Sequence, residues 1–135
     1  MGVKWRESLS IGVEEIDNQH KELLSHFGRF LDACKSSKGM EELKVLLGFL
    51  DGYVIKHFSD EESIQRQHLY PDYATHKLEH GSFVTRLNDL KEEISREGVA
   101  LHHVIETNHM LLKWLIHHIS TVDVWLGKFL KSPTM

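Results

Sequence analysis

Apolar residues recur at three- and four-residue intervals along four long stretches, and almost nothing alternates as a half-buried strand would. The first stretch carries His20, Leu23, Leu24, Phe27, Phe30 and Leu31 and runs out near Ser36-Ser37-Lys38-Gly39. The second carries Leu43, Leu46, Leu47, Leu50, Val54, His57, Phe58, Glu61 and Ile64. It must stop by Tyr70, because the residue before Pro71 is pushed out of the helical region. Pro71 and Asp72 sit where a third helix would start. That helix carries His76, His80, Phe83, Leu87, Leu90 and Ile94, with Gly98 as its natural stop. The fourth stretch has Leu111, Leu115, His118, Val122, Trp125 and Phe129, and Ser132-Pro133 closes it.

Four helices with short connections predict an all-α fold, an up-down-up-down four-helix bundle. Residues 1–12 hold Trp5, Leu9 and Ile11, so this N-terminal arm is expected to pack across the bundle. No internal repeat or linker interrupts the pattern, and residues 1–135 read as one domain.

Composition narrows the function. With 16 Lys+Arg against 20 Asp+Glu, the net charge of −4 leaves no basic excess to neutralise a phosphate backbone. Nucleic acid is therefore not an expected partner. The apolar runs are too short to cross a bilayer, so no membrane contact is expected of this domain. The start of the chain has no secretory h-region, and the one cysteine, Cys34, fits a reducing compartment. These features read as cytoplasmic. The unusual count is histidine, with 11.

Several of those histidines lie on the inward stripes. His57 and Glu61 are four apart, as are His76 and His80, a spacing that puts two side chains on one helix face about 6 Å apart. His20 lies on the inward stripe of the first helix and His118 on that of the fourth, with Asp123 about one turn further on. Any one of these alone reads as a core histidine satisfied by backbone or water. Seven together do not, because each unpaired charge in a bundle core costs several kcal/mol. A bound cation removes that penalty.

Five imidazoles and two carboxylates exceed one zinc site, and a donor set without thiolate suits iron, manganese or zinc. If both carboxylates and one solvent oxygen bridge two metals, three further imidazoles saturate one metal and two leave the other with a single open position. Asp123 is five residues after His118, which on a regular α-helix separates them by about 140°. A π-bulge between them is expected, since an i→i+5 turn brings them nearly into line.

The segments Ile16-Asp17-Asn18-Gln19-His20, His57-Phe58-Ser59-Asp60-Glu61-Glu62, His76-Lys77-Leu78-Glu79-His80 and Trp114 to Asp123 resemble the hemerythrin family, its bacterial members above all. The resemblance spans essentially the whole chain. It implies two iron ions bridged by Glu61, Asp123 and an oxo/hydroxo oxygen. His76, His80 and His118 would hold the six-coordinate iron, and His20 and His57 the five-coordinate one. It also implies reversible binding of O2, or of small anions, at the open iron, for oxygen or redox sensing or for carriage and storage, and not enzymatic turnover. Several bacterial members are domains of larger signalling proteins, including chemotaxis receptors, so other domains of such a protein are implied partners.

The rival class is a diiron oxidase, peroxidase or iron store. Oxidases of the ferritin-like class use Glu-x-x-His pairs, and the only such motif, Glu106-Thr107-Asn108-His109, is off the ligand stripe. Phe58, Trp114, Leu115 and Ile119 adjoin ligands and are candidate walls of an O2 pocket, with plain core packing as the competing role. His68, His109 and His117 are expected away from the metals, and His26, His102 and His103 on the surface or in loops. Glu62 is expected to point elsewhere as a solvated or capping carboxylate, and Cys34 to be an ordinary half-buried thiol.

Overall fold

The computed structural model describes residues 4–131. A 3₁₀ turn, Glu7–Leu9, precedes α1 (Glu14–Lys35), α2 (Gly39–Gln67) and α3 (Tyr73–Glu97). A fourth rod follows in five pieces: α4 (Leu101–Glu106), a π turn Thr107–Leu112, α5 (Lys113–His117), a second π turn His118–Asp123, and α6 (Val124–Lys131). The described residues hold no strand, and no helix among them is long and apolar enough to cross a membrane.

The boundaries follow local chemistry. The chain leaves α2 through Leu69, whose φ is 53°, and passes Pro71 with Asp72 as the residue capping α3. Gly98, at φ 79°, ends α3 and returns its N–H to the Ile94 carbonyl at 2.8 Å. Only a residue without a Cβ takes that conformation at little cost. The Ser132-Pro133 stop lies outside the described residues.

Short connections make successive rods antiparallel. The main core runs between them, with Leu23, Phe27 and Phe30 of α1 meeting Leu43, Leu46 and Leu50 of α2, Phe83 and Leu87 of α3 and Leu111 and Leu115 of the fourth rod. A smaller core of Ile11, Ile16, Tyr70 and Leu126 closes one end. The arm packs across the bundle as expected: Ile11 is fully buried, and Trp5 and Leu9 rest on the main core. Asp17 of α1 fastens it, accepting hydrogen bonds from the Ile11 N–H at 2.9 Å and from the Ser10 hydroxyl.

The bulge expected between His118 and Asp123 is present as the second π turn. Regular amides would claim the carbonyls of Ile116 and His117. Hydroxyls reach both: Ser120 Oγ donates to the Ile116 carbonyl at 2.7 Å and Thr121 Oγ1 to that of His117 at 2.6 Å. Hydroxyls that compete with backbone donors in this way bend and loosen helices. The π turn carries one extra residue, which corrects the expected stripe beyond it. Trp125 is 58% exposed, whereas Leu126 is fully buried and Phe129 half-buried.

Candidate metal centre

His20 comes from α1, His57 and Glu61 from α2, His76 and His80 from α3, and His118 and Asp123 from the second π turn. All seven side chains are buried, none more than 2% exposed. The structure brings them into two groups: Glu61, His76, His80, His118 and Asp123 in one, and His20, His57, Glu61 and Asp123 in the other.

The two carboxylates belong to both groups, and their oxygens divide between them. Glu61 Oε1 lies 2.9 Å from His80 Nε2 and 3.2 Å from His76 Nε2, whereas Oε2 faces His20 Nε2 at 4.0 Å. Asp123 Oδ1 lies 3.0 Å from His76 Nε2 and 3.2 Å from His118 Nε2, whereas Oδ2 is 3.0 Å from His20 Nε2. One oxygen of each carboxylate to each group is the arrangement of two bridges.

The atoms at the centre fit cations. Both oxygens of Glu61 and of Asp123, with the Nε2 atoms of His20 and His80, are buried without a hydrogen bond among the described residues. Leaving such atoms unsatisfied is costly. Charge gives the same answer. Burial drives His57 down to about 3. At His20, His76 and His80 burial acts the same way but is outweighed by the carboxylates of Asp123 and Glu61. All three rings are raised above 6.5, His76 to about 10. The carboxyls of Glu61 and Asp123 stay below their usual range despite burial, because the imidazoles face them. This centre demands positive charge, and a metal supplies it in place of protons.

The sequence comparisons agree with this chemistry. The family model described as "Hemerythrin HHE cation binding domain" matches residues 11–129. The chain belongs to the hemerythrin family. It is 28% identical to a myohemerythrin of Theromyzon tessulatum over 89% of this chain and 87% of that protein. It is 29% identical to a myohemerythrin of Sipunculus nudus over 88% and 86%, and 29% to a bacteriohemerythrin of Methylococcus capsulatus over 86% of each. Hemerythrins hold two iron ions bridged by carboxylate and oxo groups and bind O2 reversibly there, which is the function this membership supports.

A second ring of residues supports the hemerythrin centre, and sequence reading missed most of it. Gln19 of α1 accepts from His57 Nδ1 at 2.7 Å, its orientation fixed because its amide N–H donates to Asp60 at 2.8 Å. Gln65 and Glu62 of α2 meet the Nδ1 atoms of His76 and His80, each at 2.8 Å. Glu79 of α3 accepts from His118 Nδ1 at 3.1 Å. Each of α1, α2 and α3 thus steadies imidazoles carried by the rod that follows it. Glu62 does not point elsewhere as expected; it faces His80 because the α2 surface beside Glu61 lies against α3. Position next to a ligand was the available signal, but it does not tell which neighbour turns inward.

Of the candidate pocket residues, Phe58 stacks on His80, with centroids 3.9 Å apart and planes 4° from parallel, and sits 5.6 Å from the His57 ring. Trp114 stacks on His118 at 4.5 Å and 10°. Leu115 and Ile119 are buried in the same core, each 1% exposed.

His68, His109 and His117 are exposed and outside both groups, as expected. Cys34 is half-buried. His102 is exposed on α4, and His26 lies partly exposed on α1. His103 corrects the sequence reading. It is fully buried, and its Nδ1 accepts the Ala100 N–H at 2.9 Å at the start of α4. The ring does the work of an N-terminal cap, which no periodicity reveals.

Proposed function

We propose that His76, His80 and His118 hold one iron, that His20 and His57 hold the other, and that Glu61 and Asp123 bridge them. The observation that carries this reading is the division of each carboxylate's two oxygens between the two groups. A ferrous pair held by these seven residues would supply reversible two-electron binding of O2 or, when oxidised, capture of a small anion.

The chain's own part is to protect that reaction. Phe58, Trp114, Leu115 and Ile119 wall the centre with apolar surface, which excludes water and slows proton entry. Glu62 and Glu79, the acids on His80 and His118, are engaged with ring nitrogens and deliver no proton to the open position. The reading is therefore a carrier, store or sensor of O2 and not an enzyme. The Glu106–His109 pair of an oxidase motif supports no rival: Glu106 is half-buried, His109 is exposed, and neither belongs to a metal-holding group.

For sensing, the arm is the proposed lever toward other domains of a signalling protein. Its 3₁₀ turn touches the second π turn, which carries His118 and Asp123. The arm also borders a cavity of about 180 Å³ shared by Arg6, Leu9, Leu24 and Ile119.

The test is reduction of the iron-loaded protein without oxygen, addition of O2, and its removal under vacuum. A visible charge-transfer band that forms and then vanishes supports the reading. Irreversible oxidation, or turnover of peroxide, overturns it.

A further inference from the structure

The outer nitrogens of the five imidazoles are not treated alike. In the group of three, His80 gives its Nδ1 proton to the Glu62 carboxylate at 2.8 Å and His118 gives its own to the Glu79 carboxylate at 3.1 Å. The third, His76, meets the Gln65 amide. In the group of two, His57 meets only the neutral Gln19 amide. His20 Nδ1 is buried and has no hydrogen-bond partner among the described residues.

A carboxylate that accepts the Nδ1 proton draws it outward and leaves more electron density on Nε2, so the ring becomes a stronger donor. A neutral carbonyl does this less, and an unpartnered N–H not at all. The Glu62 side chain is only 14% exposed, so water dilutes its charge little. Glu62 and Glu79 also fix the tilt of their rings by hydrogen bonds, whereas the His20 ring is held by packing against His57.

Resting on the dinuclear reading above, we propose that Glu62 and Glu79 are positioning residues that grade the two halves of the centre. They make the His76–His80–His118 half a tight, permanent site. The amide-held His57 and the unsupported His20 leave the other half, the one with the open position, loose and exchangeable. The lattice of outer partners thereby separates a structural metal from a working one within a single cluster. The count of imidazoles alone would also favour the first half, so the order of affinities does not decide the matter. The effect of the outer acids does.

The experiment loads the full chain with cobalt(II) and challenges it with graded chelator, following metal content and the cobalt absorption bands. The wild type should hold two ions and release them in two separated steps. Glu62→Gln and Glu79→Gln keep shape but remove charge. Glu62→Gln should weaken the tight step by about tenfold or more, the size of effect typical for such partners. Glu79→Gln, at a side chain 38% exposed to water, should weaken it by less. Both should move the weak step by less than about threefold. Gln19→Glu with Asp60→Asn, which keeps a donor facing residue 19, should instead tighten the weak step and close the gap from the other side. This gain does not depend on any variant being damaged. Equal weakening of both steps by the two glutamine variants, or no effect of them, overturns the proposal, as does an unmoved weak step in the Gln19 variant. A wild type that holds only one ion overturns the dinuclear reading itself, and this inference with it.

Discussion

The two halves of the bundle are built on opposite principles. In one, the late part of α1, the early part of α2 and the end of α3 bring together Phe27, Phe30, Leu43, Leu50, Leu87 and Leu90, all buried and all apolar. In the other, the same helices and the second π turn bury five imidazoles and two carboxylates, and all four carboxylate oxygens are without a hydrogen bond among the described residues. The apolar half is stable by removal of hydrocarbon from water and needs no ligand. The polar half holds together in proportion to the charge placed at its centre. The first can therefore act as a fixed frame against which the second responds to what it binds.

The sharpest way to separate the halves is Asp123→Ala. It should reduce the metal count from two to at most one and lower the stability of the loaded protein by about 3–5 kcal/mol, the usual result of leaving buried charge uncompensated. Elemental analysis and urea denaturation measure both. Leu50→Ala, in the other half, should cost about 2–5 kcal/mol through lost burial and a cavity while two metals remain bound. Loss of metal in that variant would break the comparison, because the halves would then be a single cooperative core.

Removing the metal with a chelator should introduce a loss of stability toward alkali. In the metal-free fold His20, His76 and His80 hold protons more tightly than the unfolded value of 6.5, His76 up to about 10. Their stabilisation is complete below 6.5 and is lost as the pH climbs toward 10. His57, lowered to about 3, acts only on the acid side, where stability falls as the pH drops from 6.5 toward 3. The urea midpoint of the chelated protein should therefore fall from pH 7 to about pH 9.5, and with metal bound that decline should disappear. The smallest effect is expected at His103→Ala. Losing a helix cap costs about 0.5–2 kcal/mol and should speed amide exchange at the start of α4 with no change in metal content.

The sequence made the four rods, the arm and the convergence of the seven inner residues readable, because periodicity reports which face is buried and the seven share that face. The second π turn was readable from the candidate pair itself, since His118 and Asp123 cannot meet on a regular helix. The first π turn was not, because Thr107–Leu112 holds none of the seven residues. Its visible correlate is the buried Thr107, whose hydroxyl donates to the His103 carbonyl at 2.8 Å. Glu62 and Glu79 escaped for a different reason. Their role depends on how neighbouring helices are rotated, and a pattern along one chain segment does not contain that rotation. His103 escaped because a capping ring sits at a helix end, where periodicity has barely begun.

The second π turn also lets the fourth rod change length without changing direction. Taking one residue out of the stretch 119–122 leaves the aspartate four places after His118, in step with it on an ordinary α-helix. Leu126 would stay inward, and Gly127 would still lie flush against Ile11, where even a Cβ would come within 2.7 Å of the Ile11 Cα. Straightening the turn at full length would do the reverse, swinging Trp125 into the interior and the aspartate away from its partners. A single-residue deletion that would twist the tail of α1, α2 or α3 by about 100° can be absorbed in that turn.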